Sequence, residues 1–294
     1  MTQIALILSA IYVLIIVYVY ICYNQDAKST EKYDFYRDEL EILPTEAAYL
    51  LNEKANSMHL LLADILSLVN MGYINLELIY IDENNKDYKF TKVKNKDISW
   101  LKNHQVLAYR MFFSNSDSMT FHQFFNDIRT NNDFNTVTEV KYNTIKSAIN
   151  KEFEKDGIIN VRAKTILSKI NSNAIRLIFL FAFGSILSIA YAITEGPTLL
   201  ISMIVFLLLS IILYFSTIPT ENKLTPYGAN LKEKALGTFN YLQEYIIIDD
   251  KPLYMVNVLE YYYTCAIAMG LVDIVNENFS RNYIYANMSN KLWR

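Results

Sequence analysis

Two apolar runs, residues 174–194 and 198–218, constrain this chain more than any other feature. No charged residue occurs between Leu177 and Thr194, and none between Thr198 and Ile218. A helix needs ~20 mostly apolar residues to cross the hydrocarbon core. Both runs meet that length. Gly196-Pro197 breaks the pattern between them, because proline has no N–H to give and glycine accepts open backbone angles. The spacing predicts a transmembrane helical hairpin, residues 174–218, with a minimal loop.

A third apolar run occupies residues 4–23. No Lys or Arg precedes it, it outruns a secretory h-region, and no small-x-small cleavage site follows. The residues ahead of Cys22 are Val19, Tyr20 and Ile21, too large for a lipoprotein signal. The run therefore predicts an uncleaved membrane helix over residues 1–23, with Tyr18, Tyr20 and Tyr23 at the headgroup level. Orientation follows from the cations near each span. None precedes the first helix, whereas Lys28, Lys32 and Arg37 follow it. Arg162, Lys164, Lys169 and Arg176 precede the hairpin, its loop carries Glu195 and no cation, and Lys223, Lys232 and Lys234 follow. Three spans satisfy this alternation, with the N-terminus outside and residues 24–173 and 219–294 cytoplasmic.

Residues 24–43 are a juxtamembrane stretch of mixed charge, read as helical or loosely ordered. Pro44-Thr45-Glu46 then opens a helix, with proline leading and an acid in the first turn. A second helix starts near Ser57 and ends at Gly72, a natural C-cap. Tyr73 to Ile81 reads as a strand, Asp82-Glu83-Asn84-Asn85 as a turn, and Tyr88, Phe90 and Val93 as the returning strand. Helix, helix, hairpin is a winged-helix-like skeleton over residues 44–97. The theme recurs over residues 98–163, with helices at 100–113, 121–129 and 136–156 and Ser118-Met119-Thr120 as a cap. Gly157-Ile158-Ile159-Asn160 echoes Gly72-Tyr73-Ile74-Asn75, which predicts a second module with a degenerate wing. Residues 219–294 read as a cytoplasmic helical segment. There Leu231, Ala235, Phe239, Leu242 and Ile246 form one apolar stripe. The run of residues 259–271, with Tyr261, Tyr262, Tyr263 and the small Cys265, Ala266, Ala268 and Gly270, is expected to close on that stripe. One or two of its tyrosines are expected to reach the membrane interface. The fold class expected is a mainly α membrane protein, with three transmembrane helices, cytoplasmic α+β winged-helix-like modules and a C-terminal helical segment.

The function classes narrow from what the chain offers chemically. The net charge is −3, and residues 24–173 hold 19 basic and 21 acidic side chains. A nucleic-acid reader needs cations to meet phosphate. The helix from Met58 to Met71 has no Lys or Arg and one acid, Asp64. The helix from Thr136 to Asp156 mixes both signs. His59, His104 and His122 form no HExxH pattern and are read as ordinary, partly exposed side chains. Cys22 and Cys265 make no CxxC pair, and Cys265 is read as a small core residue. Asp249-Asp250 sits beside Pro252 in a turn. No nucleophile elbow or phosphate-binding glycine loop occurs, and the hairpin holds no charge to mark a transport path. The chain is expected not to be an enzyme, with no catalytic, cofactor or metal residue and no small-molecule substrate. Its expected partners are the lipid bilayer and other membrane or envelope proteins, with no nucleic acid. A membrane-tethered winged-helix regulator contacting nucleic acid is the alternative. The 23 Tyr and 16 Phe, with abundant Asn, Ile and Lys, point to a bacterial source.

Several short motifs carry a resemblance. Pro44, Glu46 and Ala47 precede a leucine-rich helix closed by Gly72, Tyr73 and Ile74. Gly237, Phe239, Tyr241 and Leu242 form one C-terminal block, and Leu259, Tyr261, Ala266, Ala268 and Gly270 form another, without the proline expected in it. In these the chain resembles the YciQ-like family of bacterial membrane proteins, which has no established reaction. Members of that family usually carry an extracellular β-rich domain ahead of the first shared helix, and this chain shows none. If that domain does the family's sensing or binding, the resemblance implies that another polypeptide supplies it here.

Overall fold

The hairpin helices are far longer than their loop. In the computed structural model, which describes residues 2–24, 27–81, 86–114, 116–130, 134–195, 197–218, 222–244 and 256–273, α7 runs from Val161 to Glu195 and α8 from Thr198 to Thr217. At ~1.5 Å per residue, the 35 residues of α7 outrun a ~30 Å hydrocarbon core. The cations Arg162, Lys164, Lys169 and Arg176 all lie in its first half. Two stretches, Val161–Ile189 and Thr198–Thr217, are long and apolar enough to cross a membrane.

The N-terminal helix α1, Thr2–Val19, continues as a π-turn over Tyr20–Asn24. It packs along α8, where Ile16 is buried with Ala174 and Leu213 and the Tyr12 and Ser210 hydroxyls meet at 3.1 Å. Its described apolar stretch, Ile7–Tyr23, is shorter than the two hairpin spans. Ser185, Ser210 and Thr217 each donate to a carbonyl four residues back, so these hydroxyls are satisfied within their own helix. Outward-facing Phe179, Phe183, Ile186, Ile201 and Phe215 are exposed, an apolar surface suited to lipid. At the hairpin's base, Asn160 N donates to Lys223 O at 2.7 Å and Thr225 N to Ile158 O at 2.9 Å. The expected second wing is thus a single bridge, Ile159 to Leu224. These elements form one compact unit, Met1–Lys28 with Gly157–Ala229.

The other unit joins Ser29–Asp156 to Asn230–Arg294. Its elements are α2 (Pro44–Leu51), α3 (Ser57–Asn70), β1 (Ile74–Tyr80), β2 (Lys86–Lys92), α4 (Asn103–Phe113), β3 (Ser118–Thr120), α5 (Phe121–Thr130), α6 (Phe134–Lys155), most of α9 (Pro226–Glu244) and α10 (Val256–Met269). Helix α3 is its centre. Asn56, rather than Ser57, caps it by accepting from Met58 N at 2.9 Å. Leu60, Leu61, Ile65 and Leu68 are almost wholly buried against α2, α4, α6 and α10. Gly72 ends the helix at φ +71°, and Tyr73 N reaches back to Leu68 O at 2.8 Å, a Schellman turn. Gly157, two residues past α6, has φ +70°. The echo between the two glycine motifs reflects two left-handed helix ends.

The two-module division does not describe this unit. β3, expected as a helix cap of the second module, pairs with β2 of the first, with Phe90 opposite Met119, in one sheet of order β1-β2-β3. Phe112 of α4 contacts both Phe90 and Phe124, at ring separations of 4.9 and 4.6 Å, so a single core runs through both halves. Thr120 also caps α5 as expected, accepting from Gln123 N at 3.1 Å.

The C-terminal run also departs from expectation. Helix α10 packs mainly on α2 and α3, with Cys265, Ala266 and Ala268 buried where small side chains let helices approach. Tyr262 and Tyr263 are buried and so are not at a membrane interface. Residues 29–43 are neither helical nor loose. They form an extended strap on α9 and α10. Ser29 Oγ donates to Asn230 Oδ1 at 2.7 Å, Lys234 pairs with Glu41 at 2.6 Å, and Leu40 N donates to the Tyr261 hydroxyl at 2.9 Å. Tyr262 OH donates to Arg37 O. Gly237 makes room for the strap, since a Cβ there would lie 2.9 Å from Tyr36 Cβ and 3.0 Å from Tyr33 Cβ. Ile246, the loop residues 82–85, Gly196, Pro219 and the Asp249-Asp250 turn lie outside the described residues.

Gly237→Val should therefore push the strap off α9, at a cost of about 1–3 kcal/mol. Limited proteolysis should cut within residues 29–43 faster in the variant than in the parent, with both hairpin spans still membrane-protected.

A buried charge lock as the candidate functional site

Asp64 interrupts the otherwise apolar stretch Leu60-Leu61-Leu62-Ala63-Asp64-Ile65 of α3. A carboxylate there must be paired. Two helix starts converge on it. Pro44 opens α2, and Glu46 turns back at its third position so that Leu43 N donates to Oε2 at 2.9 Å. Thr45 Oγ1 donates to Asp64 Oδ1 at 2.7 Å. At the start of α4, Lys102 N donates to Gln105 Oε1 at 3.2 Å, which fixes the turn carrying Lys102 and His104.

His104 is fully buried between the two carboxylates. Its Nδ1 lies 2.8 Å from Asp64 Oδ2, and its Nε2 lies 3.4 Å from Glu46 Oε1, an ion-pair rather than a hydrogen-bond contact. Lys102 Nζ reaches both Glu46 oxygens, at 2.7 and 2.9 Å, and lies 3.6 Å from Asp156. Asn103 Nδ2 donates to Glu152 Oε1 of α6 at 3.0 Å. With an acceptor carboxylate on each side, the ring is held as imidazolium. Two negative charges then face two positive ones inside the protein.

The electrostatics follow from that arrangement. Burial alone would lower the pKa of His104, but Asp64 and then Glu46 outweigh it and raise it to about 10. Burial would raise that of Glu46, but His104 and Lys102 hold it below the usual carboxylate range. Lys102 is raised, because Glu46 and Asp156 overcome its own desolvation. A proton held this tightly is a poor vehicle for acid–base chemistry near neutrality. The Thr45 hydroxyl and the Lys102 amine are engaged by Asp64 and Glu46, and the Glu46 oxygens are taken by Leu43 N and Lys102. Among the described residues, no His/Cys/Asp/Glu group has the arrangement of a metal site. The cluster ties α2, α3, α4 and, through Asp156 and Glu152, the end of α6.

His104 is thus not the partly exposed side chain expected. His59, in the first turn of α3, is partly buried, and burial lowers its pKa. His122 is exposed. Cys265 is a core residue as expected, and burial pushes its thiol up to about 12, which leaves it unreactive.

Residues 33–279 match the family described as predicted membrane protein (DUF2207), C-terminal domain. The chain belongs to that family. The match takes in most of both segments of the second unit and the entire hairpin, so the DUF2207 domain includes Glu46, Asp64, Lys102, His104 and both hairpin helices together. No curated protein sequence and no solved structure matches the chain. The motif residues have physical roles in this DUF2207 member: Pro44 and Glu46 build one wall of the charge lock, and Gly72-Tyr73 is the turn that releases β1 from α3.

The lock makes stability depend on pH in a defined direction. His104 is raised from an ordinary 6.5 to about 10. Its contribution is therefore complete below pH 6.5 and is lost as pH rises toward 10. Glu46 runs the other way: its contribution is complete above its ordinary 4.5 and is lost as pH falls below that. Thermal unfolding of the detergent-solubilised chain, followed by near-ultraviolet circular dichroism, should show Tm falling between pH 7 and 10. His104→Gln, which leaves Asp64 buried and unpaired, should cost about 3–5 kcal/mol and flatten that alkaline limb.

Proposed function

We propose that this chain is a membrane-anchored, non-enzymatic interaction protein that presents its soluble unit to other membrane or envelope proteins. The observation that carries this reading is the insertion of the hairpin into the soluble unit. Residues 29–156 and 230–294 build one compact body, and two spans lie between them. Two spans return the chain to the side it left, so a single soluble body is displayed on one side of the bilayer. The Lys and Arg distribution assigns that side to the cytoplasm. On this reading α1 is a third span, the N-terminus is outside, and residues 24–173 and 219–294 are inside. The Pro44-Glu46-Ala47 and Gly72-Tyr73-Ile74 motifs support a likeness to the YciQ-like family.

The closed charge lock supports a role without catalysis. The buried position of α3 weighs against the nucleic-acid alternative. The helix that would read a groove is packed on several sides by its own neighbours and carries no cation.

Two measurements test these readings. A reporter active only in the cytoplasm should be active when fused after Trp100 and at Arg294, and an exported-only reporter should be silent at both. Activity of the exported reporter at either position overturns the topology. The purified full chain in detergent should show no salt-sensitive retention on duplex DNA. Tight binding that weakens steeply with salt would replace the interaction reading with the regulator.

A further inference from the structure

Strand β1 is the outer strand of the sheet, and among the described residues no strand covers its free edge. An uncovered edge is a template for another strand, and proteins commonly blunt it with proline, lysine or a bulge. β1, Ile-Asn-Leu-Glu-Leu-Ile-Tyr, carries none of these. Its pairing with β2 runs unbroken from Ile74 opposite Lys92 to Tyr80 opposite Lys86, and its single charge, Glu77, is answered by Lys89. The root of the strand is core, with Ile74 buried, but Leu78, Tyr80 and Ile81 are 45, 66 and 61 % exposed.

The backbone phase is also set. Val93 N donates to Tyr73 O at 3.1 Å, and strand residues alternate the side to which their N–H and C=O point. Tyr73, Asn75, Glu77 and Ile79 therefore turn toward β2, whereas Leu76, Leu78 and Tyr80 turn toward the free edge. The residues that offer the open hydrogen bonds are the same ones that extend the apolar face. A lipid surface suits them poorly, because Asp82 and Glu83 follow directly in the sequence and oppose anionic headgroups.

We propose that β1 pairs antiparallel with β1 of a second copy of this chain, about a two-fold axis at Leu78. In that register Leu78 faces its counterpart, Leu76 faces Tyr80 and Tyr80 faces Leu76, so the apolar row is continuous across the junction. Glu77 faces Ile79. Centring on Glu77 would set the two acids against each other. Centring on Ile79 would set Leu76 against Asp82. Centred on Leu78, the match is self-complementary. It rests on the reading of the chain as a membrane-anchored interaction protein. Copies anchored in one bilayer are confined to its surface, which raises the effective concentration for a short ladder.

The test uses the full chain in proteoliposomes with Cys22→Ser, Cys265 remaining buried. Leu78→Cys should give a disulfide-linked dimer on mild oxidation, since directly opposed Cα atoms in this register lie about 5.5 Å apart. Trp100→Cys, at a position 85 % exposed, should give far less. Leu76→Cys mixed with Tyr80→Cys should cross-link to each other, and neither should do so alone. Leu78→Lys should abolish cross-linking through introduced thiols at the edge while leaving Tm unchanged. Cross-linking at Leu78→Cys no greater than at Trp100→Cys overturns the proposal. If that thiol links instead to a different polypeptide, the edge serves a foreign strand: the self-pairing fails and the interaction reading stands. If it is shielded from aqueous maleimide only in anionic vesicles, the occupant is lipid and the self-pairing fails.

Discussion

Two helices long and apolar enough to cross a membrane interrupt the second compact unit, and the core of that unit depends on the chain coming back to it. Helix α10 closes the core formed by α2 and α3, yet the whole hairpin separates them in sequence. Ala266 and Ala268 meet the core of Leu61 and Ile65 only because the chain returns after the hairpin. The strap of residues 29–43 depends on the same constraint, because its anchors, Asn230, Lys234 and Tyr261, all come after the hairpin. The body is completed only when the last segment folds back onto the first.

Within that body the charge lock does what apolar packing leaves undetermined. Leu60, Leu61, Ile65 and Leu68 favour burial of α3 but tolerate sliding and rotation against their neighbours. The carboxylate of Asp64 does not, since it must meet the His104 ring and the Thr45 hydroxyl at once. A buried pair is weak evidence for added stability, because desolvation offsets much of the attraction. Its use here is register: it sets the angle at which α2 and α4 cross α3, and so where β1 emerges after Gly72. The exposed edge of β1 follows directly on the helix that carries Asp64.

Some of this was legible in the residues. Pro44 with Glu46 marked the start of α2, Gly72 the end of α3, and alternation over 74–80 and 86–92 the hairpin strands. These are local signals, each set by interactions within about five residues. The pairing of β3 with β2 was not legible, because three residues, Ser118-Met119-Thr120, carry too little pattern and read equally well as a cap. The strap was not legible either. Its residues are charged and aperiodic, and only the gap left by Gly237 shows where they lie.

The sequence by itself determined the membrane attachment and the ends of most helices, because uncharged length and capping residues act locally. It also held one clue to the candidate site, Asp64 in an apolar helix, without naming the partner. Only the tertiary structure decided that Glu46 and His104 answer Asp64, that the two supposed modules share one core, and that α10 rests on α3. The reason is distance along the chain: Glu46 and His104 stand 58 positions apart. Nothing in either neighbourhood specifies the other until α2, α3 and α4 pack and leave the charges no water to turn to.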